Sequence, residues 1–269
     1  NMIDAGNINF CNNIQRINDS IIFIATSSNI YNCSFKKDEL ISARPLLPLN
    51  KNSFDQLYCF LYASNKTIWA GTATGKIFRI DSAGNFFTNQ IPENYLVRSL
   101  AEDVQHNIWA GTDKGLYVYN NSGKLIKTFT TQSGLLNDCI YAISPVKNKT
   151  AVFASSNLGL SYISLNKNII NYTKESGLQE NEFNTQSAIK TVSGKYYFGG
   201  VNGITSFYLS SLVYIQDTPV LNITKLIIND VSYNCSPGFL KGDILKLNYA
   251  QNHIQLDFAA LGLLNTNEY

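Results

Sequence analysis

Apolar residues in this chain fall into short runs that either alternate with polar ones or stand unbroken, and a helical rhythm of 3.6 residues is hard to find. The alternating runs include "KIFRI" at 76–80, "GLYVYN" at 115–120, "LSYIS" at 160–164 and "ITSFY" at 204–208. Each follows an unbroken run, such as "TIWA" at 67–70, "NIWA" at 107–110 or "AVFA" at 151–154, across a short stretch of small, turn-forming residues. Strands joined by tight turns predict β-meanders throughout.

The meanders repeat. Five phrases align on a residue six places after an aromatic one: "FIATSSN" from Phe23, "WAGTATG" from Trp69, "WAGTDKG" from Trp109, "FASSNLG" from Phe153 and "YFGGVNG" from Tyr197, at intervals of 40 to 46 residues. A second phrase recurs between them, "FTTQSGLLND" from Phe129 and "YTKESGLQEN" from Tyr172, and adds an outer strand and a turn to the unit. Four antiparallel strands at this period predict a β-propeller blade, which must pack on its neighbours to bury its two faces. Trp69, Trp109 and Phe153 are expected to wedge between blades, with Gly71, Gly111 and Gly199 allowing close approach. Gly75, Gly115, Gly159 and Gly203, with Asn29 in the first unit, are expected to turn the chain at positive φ. A phosphate loop would instead open a helix, so a nucleotide site is excluded here.

After "FGGVNGITSFYLSSL" the pattern stops. The expected organisation is all-β: propeller repeats over 1–212, the C-terminal part of a larger ring, and over 213–269 the beginning of an Ig-like β-sandwich, incomplete at about 50 residues. Its candidate strands lie near 220–228, 243–249 and 253–261, with turns at Ser236-Pro237-Gly238 and Lys241-Gly242-Asp243.

Composition narrows the function classes. A 45% hydrophobic and 12% aromatic content fills a core, and 21 basic against 19 acidic residues, scattered and netting +2, gives no basic cluster for nucleic acid. The longest apolar stretches fall short of the roughly 20 residues that cross a bilayer. Five widely spaced cysteines lack any metal pattern and are expected as small buried hydrophobes, the alternative being that an oxidising compartment bridges one pair, such as Cys11 with Cys33.

The phrases "NIWAGTDKGLYVYN", "KTIWAGTATGKIFRI", "SGLLND", "SGLQENEFN" and "YYFGGVNGITSF" resemble the two-component-regulator propeller repeat. The tail "ITKLIIND…LKLNYAQNHIQLDFAALGLLNTNEY" resembles the start of the Ig-like domain with recurrent tyrosines that follows such propellers. The resemblance covers residues 20 to 269, departing from it in "FIATSSN" and at Leu209, where the family often has proline. It implies the periplasmic sensor region of a hybrid histidine kinase: a non-enzymatic ectodomain that binds oligosaccharide, shared with an upstream propeller, and regulates polysaccharide-utilisation genes. The full-length protein would be a homodimer, in the membrane only through a downstream helix. No cofactor or metal is implied.

The residues themselves leave two other classes open. A secreted carbohydrate-active enzyme would need two carboxylates about 5 to 10 Å apart, from Asp103, Asp138, Glu175, Glu180 and Glu182; a scaffold propeller would bind protein. No catalytic residue is assigned, because His106 and His253 lie near no nucleophile turn. Binding is expected at loop tips that open on one face: Asp113, Lys114, Asn137, Asp138, Glu180, Asn181, Glu182 and Asn202. Asp138 and Asn181 hold equivalent places in successive repeats, as turn-forming residues would.

Overall fold

The computed structural model describes residues 11–37, 39–47, 56–91, 94–166, 169–212, 220–233 and 246–261, in two units, Asn1–Ser211 and Leu212–Tyr269. The first unit is a row of β-propeller blades. Blade 1 is β1 (Cys11–Arg16), β2 (Ile21–Thr26), β3 (Ile30–Lys36) and β4 (Glu39–Pro45); blade 2 is β5 (Leu57–Tyr62), β6 (Ile68–Thr72), β7 (Lys76–Ile80) and β8 (Phe86–Gln90). Blade 3 is β9 (Val97–Glu102), β10 (Ile108–Thr112), β11 (Gly115–Tyr119) and β12 (Leu125–Phe129); blade 4 is β13 (Ala142–Pro145), β14 (Ala151–Ser155), β15 (Leu160–Ser164) and β16 (Ile169–Tyr172). Blade 5 has three strands, β17 (Phe183–Lys190), β18 (Lys195–Gly200) and β19 (Gly203–Tyr208). Every neighbouring pair within a blade is antiparallel, as short sequential turns require.

Between blades the repeat aromatics carry the packing. Trp69, Trp109 and Phe153 are completely buried. Trp109 stacks on Phe129 at 5.8 Å and lies in one cluster with Ile140, Ile143 and Val152 of blade 4. Trp69 clusters with Val97, Ile108 and Tyr117 of blade 3, and Phe153 meets Tyr196 and Phe207 of blade 5 edge-on, each at 5.1 Å. The glycines two places on let the sheets close: a Cβ on Gly71 would lie 2.4 Å from Val97, and one on Gly111 would lie 2.6 Å from Ile140. Tyr197 keeps the register of the other wedge residues but is only half-buried, whereas Tyr196 and Phe198 on the opposite face of β18 are buried against blade 4.

The turn after the wedge strand takes the expected left-handed conformation at Gly75, Gly115, Gly159 and Gly203. Asn29 corrects the expectation for blade 1. It does not adopt a positive φ; its side chain instead accepts hydrogen bonds from the amides of Ile30 at 2.8 Å and Leu47 at 3.1 Å, tying the turn to the exit of the blade. The described cysteines Cys11, Cys33, Cys59 and Cys139 are free thiols, so Cys11 and Cys33 are not bridged; Cys235 lies outside the described residues.

The second unit is an antiparallel sheet of β20 (Val220–Ile228), β21 (Val231–Tyr233) and β22 (Ile254–Leu261), in the order β21-β20-β22. Residues 246–249 form no strand, and the turns expected around Pro237 and Gly242 lie outside the described residues.

Candidate functional site

Register decides which loops share a face. Thr72 pairs with Leu57 and Thr112 with Val97, so the turn between the second and third strands of a blade sits at the same end as the start of its innermost strand. Asp113-Lys114 therefore lies beside Val97-Arg98, and Asn202 beside Phe183.

At that end the innermost strands share a defect. In β1, β5 and β9 one extra residue bulges out of the pairing: Asn12, Tyr58 and Arg98. A bulge frees one side chain from the alternation of the sheet and re-aims it. In β17 the same position is taken by a longer bulge containing Gln186, and in blade 4 Tyr141 immediately precedes β13. These five residues stand at one end of the innermost strands, at the mouth of the axis. Asn12 donates to the Leu57 carbonyl at 2.7 Å; Gln186 Nε2 donates to the Tyr58 carbonyl at 2.9 Å, and its amide to the Tyr141 carbonyl at 3.0 Å. Beneath them lies a cavity of about 120 Å³ lined by residues including Asn13, Cys59, Ser99, Ala142 and Gln186.

Arg98 is the centre of the polar cluster. Its Nε donates to Asp113 Oδ1 at 2.6 Å, its Nη1 to Thr185 Oγ1 at 3.2 Å, and its guanidinium lies 5.4 Å from the Tyr141 ring centre. Its side chain is 20% exposed and that of Asp113 35%, so the pair is partly shielded from solvent. Cys139 Sγ approaches Asp113 at 3.6 Å, and burial raises the thiol and the Tyr141 phenol, leaving both as neutral hydrogen-bonding groups. Charged, hydroxyl and aromatic groups thus converge on one mouth.

The loop residues singled out in the sequence divide into two groups. Asp113 belongs to the mouth cluster, and Lys114 follows it in the same turn, its amide on Thr112 Oγ1 at 3.0 Å. Asp138 and Asn181 hold their own loops: each accepts from the first amide of a short 3-10 turn, Thr131 at 2.6 Å and Lys174 at 2.7 Å. Asn137 accepts the Cys139 amide at 2.7 Å, and Asn202 is held to Gln179 by its own amide at 2.7 Å. Glu180 pairs with Lys174 at 2.8 Å, and Gln179 reaches the Glu182 carbonyl at 3.2 Å. The hydrogen bond from Lys174 holds Glu180 below the usual carboxylate range, and that from Thr173 does the same for Glu175. A glycosidase general acid needs a shift in the other direction.

One further cluster gathers a serine, a histidine and a carboxylate at the opposite ends of blades 2 and 3. Glu102 accepts from the Ser64 amide and hydroxyl, both at 2.7 Å, and from His106 Nδ1 at 2.8 Å, while the same His106 nitrogen lies 2.8 Å from Ser64 Oγ. A relay would present different imidazole nitrogens to the acid and to the hydroxyl. Here a single nitrogen serves both, so the cluster ties two turns together.

Tyr58, Arg98, Tyr141, Thr185 and Gln186 carry no motif in the sequence; each is placed by a bulge or by the residue preceding an innermost strand.

The architecture is that of propellers in general: the chain has the fold of the WD40 propeller domain of Doa1, with a TM-score of 0.58 and 15% identity over 75% of this chain and 66% of that one. It is also similar to the extracellular domain of the hybrid two-component system BT3049 from B. thetaiotaomicron, with a TM-score of 0.67 and 19% identity over 93% of this chain and 35% of that one. In sequence it is 27% identical over 280 residues to Histidine kinase P4 of Formosa agariphila, a match that takes in 95% of this chain. The chain spans 20% of that relative's length. No family model matches it.

Proposed function

We propose that this chain is the extracytoplasmic, periplasmic sensor segment of a hybrid two-component histidine kinase, and that it binds an oligosaccharide at the axial mouth. The observation that carries the reading is the similarity to Histidine kinase P4, which runs through both units rather than through the repeats alone. The chemistry of the mouth supports the ligand class: a guanidinium and a carboxylate offer donors and acceptors to sugar hydroxyls, and Tyr141 offers an aromatic face. The segment itself does no chemistry; the kinase, the membrane helix, the dimer and the control of polysaccharide-utilisation genes belong to the whole protein. Calorimetric titration with a panel of plant and algal oligosaccharides tests it: one sugar binds, and Arg98→Ala weakens it at least tenfold.

We also infer that the five blades belong to a larger ring, with the second unit as the start of an Ig-like sandwich. Ile77, Leu116 and Leu160 each pair with the residue two places after the wedge aromatic and are completely buried, whereas Ile204 at that register of blade 5 is 68% exposed. On the other side, Ile14 of blade 1 is 61% exposed where its counterpart Phe60 in blade 2 is buried. Both faces have the character of blade interfaces awaiting a neighbour. A longer polypeptide carrying the preceding repeats should bury Ile14, read as loss of labelling at an Ile14→Cys probe.

A further inference from the structure

We propose that the bulged stretch of β17, residues 184–187, is a latch through which occupancy of the axial mouth reaches the last blade; this rests on the reading of the mouth as the ligand site. Four residues of β17 stand between the pairs Phe183–Gly200 and Ala188–Phe198, where β18 has Gly199 alone. The bulges at Asn12, Tyr58 and Arg98 each add a single residue. Gly199 makes room for the excursion, since a Cβ there would stand 3.2 Å from that of Ser187.

The stretch is held from outside its own sheet. Thr185 accepts from Arg98 of blade 3, Gln186 donates through its side chain to Tyr58 of blade 2, and the Gln186 amide donates to Tyr141 ahead of β13. Gln186 has a φ of 57°, uncommon for a residue with a Cβ and here enforced from outside its own sheet. Three blades supply that enforcement.

Arg98 divides its donors between a carboxylate, Asp113, and a neutral hydroxyl, Thr185. Hydrogen bonds between charged partners are the stronger, so an arriving sugar hydroxyl displaces Thr185 and leaves Asp113 in place. With Thr185 released, the left-handed turn at Gln186 loses one of its three supports and β17 shifts toward ordinary pairing with β18. That strand opens the blade whose last strand, β19, ends at Tyr208, from which the chain passes into the second unit. A sugar that prefers the released arrangement thereby shifts the population of the last blade.

The test is amide hydrogen exchange of the whole chain, read on peptides covering 183–190, with a peptide over 108–119 as the control for global stability. Thr185→Val keeps the shape and removes the acceptor; exchange of the bulge amides should rise about five- to tenfold, with the control unchanged. Identical rates in wild type and variant overturn the latch. In the second arm, laminari-, xylo- and manno-hexaose are titrated into both proteins. A hexaose that binds should speed exchange over 183–190 in the wild type and bind Thr185→Val severalfold more tightly. Binding that leaves the exchange of this peptide untouched overturns the coupling. Absence of binding by every sugar tested counts against the ligand reading alone, and the Thr185→Val rates then decide the latch.

Discussion

Asp103→Ala isolates what one buried carboxylate contributes to a blade. Asp103 is buried at the turn between β9 and β10 and accepts from four donors: the Gln105 amide at 2.8 Å, the Asn107 amide at 3.0 Å, Asn107 Nδ2 at 3.0 Å and Trp109 Nε1 at 2.8 Å. Truncation leaves the part-buried Gln105 amide within reach of water, but Asn107 is buried, and Trp109 is fully buried with no replacement for its indole N–H. An orphaned buried donor costs about 1–3 kcal/mol, and the loosened turn adds roughly one more hydrogen bond, for a total of about 2–4 kcal/mol. Against a total stability of roughly 5–15 kcal/mol this is a large fraction. The corresponding fall in Tm for a unit of this size is roughly 4–16 °C. Blade 2 supplies an internal comparison: Ala63 occupies the place of Asp103, and Trp69 Nε1 is buried without a partner. Restoring the pair with Ala63→Asp should therefore cost far less than burying a carboxylate elsewhere, and should offset part of the Asp103→Ala loss in the double variant. Urea unfolding followed by tryptophan fluorescence reads both changes. A loss below about 0.5 kcal/mol for Asp103→Ala would show that the Trp109 bond is not a determinant of blade stability.

Other consequences of the same geometry are open to measurement. Gly71→Ala and Gly111→Ala place a Cβ within 2.4 and 2.6 Å of the next blade, and each should destabilise by about 1–3 kcal/mol in the same urea assay. Gly115→Ala adds backbone strain, with φ at 120° and the Phe129 carbonyl 2.7 Å from the new methyl, whereas Gly203→Ala meets nothing within 4 Å and should cost less despite a similar φ of 115°. Burial pushes the Cys59 thiol up to about 12, above the roughly 8.5 of an unfolded chain. Folding thus favours the protonated thiol, so this contribution is intact below pH ~8.5 and is lost as the pH climbs toward 12. A thiol reagent at neutral pH should accordingly label exposed Cys11 and leave Cys59 untouched until the protein is unfolded.

The blades were legible in the sequence because one physical demand recurs in each: a large side chain between sheets, a small one beside it, and a chain reversal next. Trp109, Gly111 and Gly115 show that demand without help from any other part of the molecule. Asp138 and Asn181 were legible for the same reason, since equivalent residues at equivalent places serve a turn, and each holds a 3-10 turn. Two features depended on neighbours. Asn29 replaces a glycine by bonding to Leu47, far along the chain, so backbone preference alone misjudged its conformation. The mouth was less legible still, because Tyr58, Arg98 and Gln186 acquire their place from bulges, and Arg98 meets Thr185 only once blades 3 and 5 stand around a common axis. Loop tips such as Asp113 were visible from the repeat. Their partners on the inner strands were not.

The most direct measurement is calorimetric titration of oligosaccharides into wild-type protein, Arg98→Ala and Tyr141→Ala. A sensor that uses its axial mouth binds at least one sugar without releasing product, and each variant weakens that binding at least tenfold. A sugar that binds all three proteins with equal affinity, or that is cleaved by the wild type, contradicts the account.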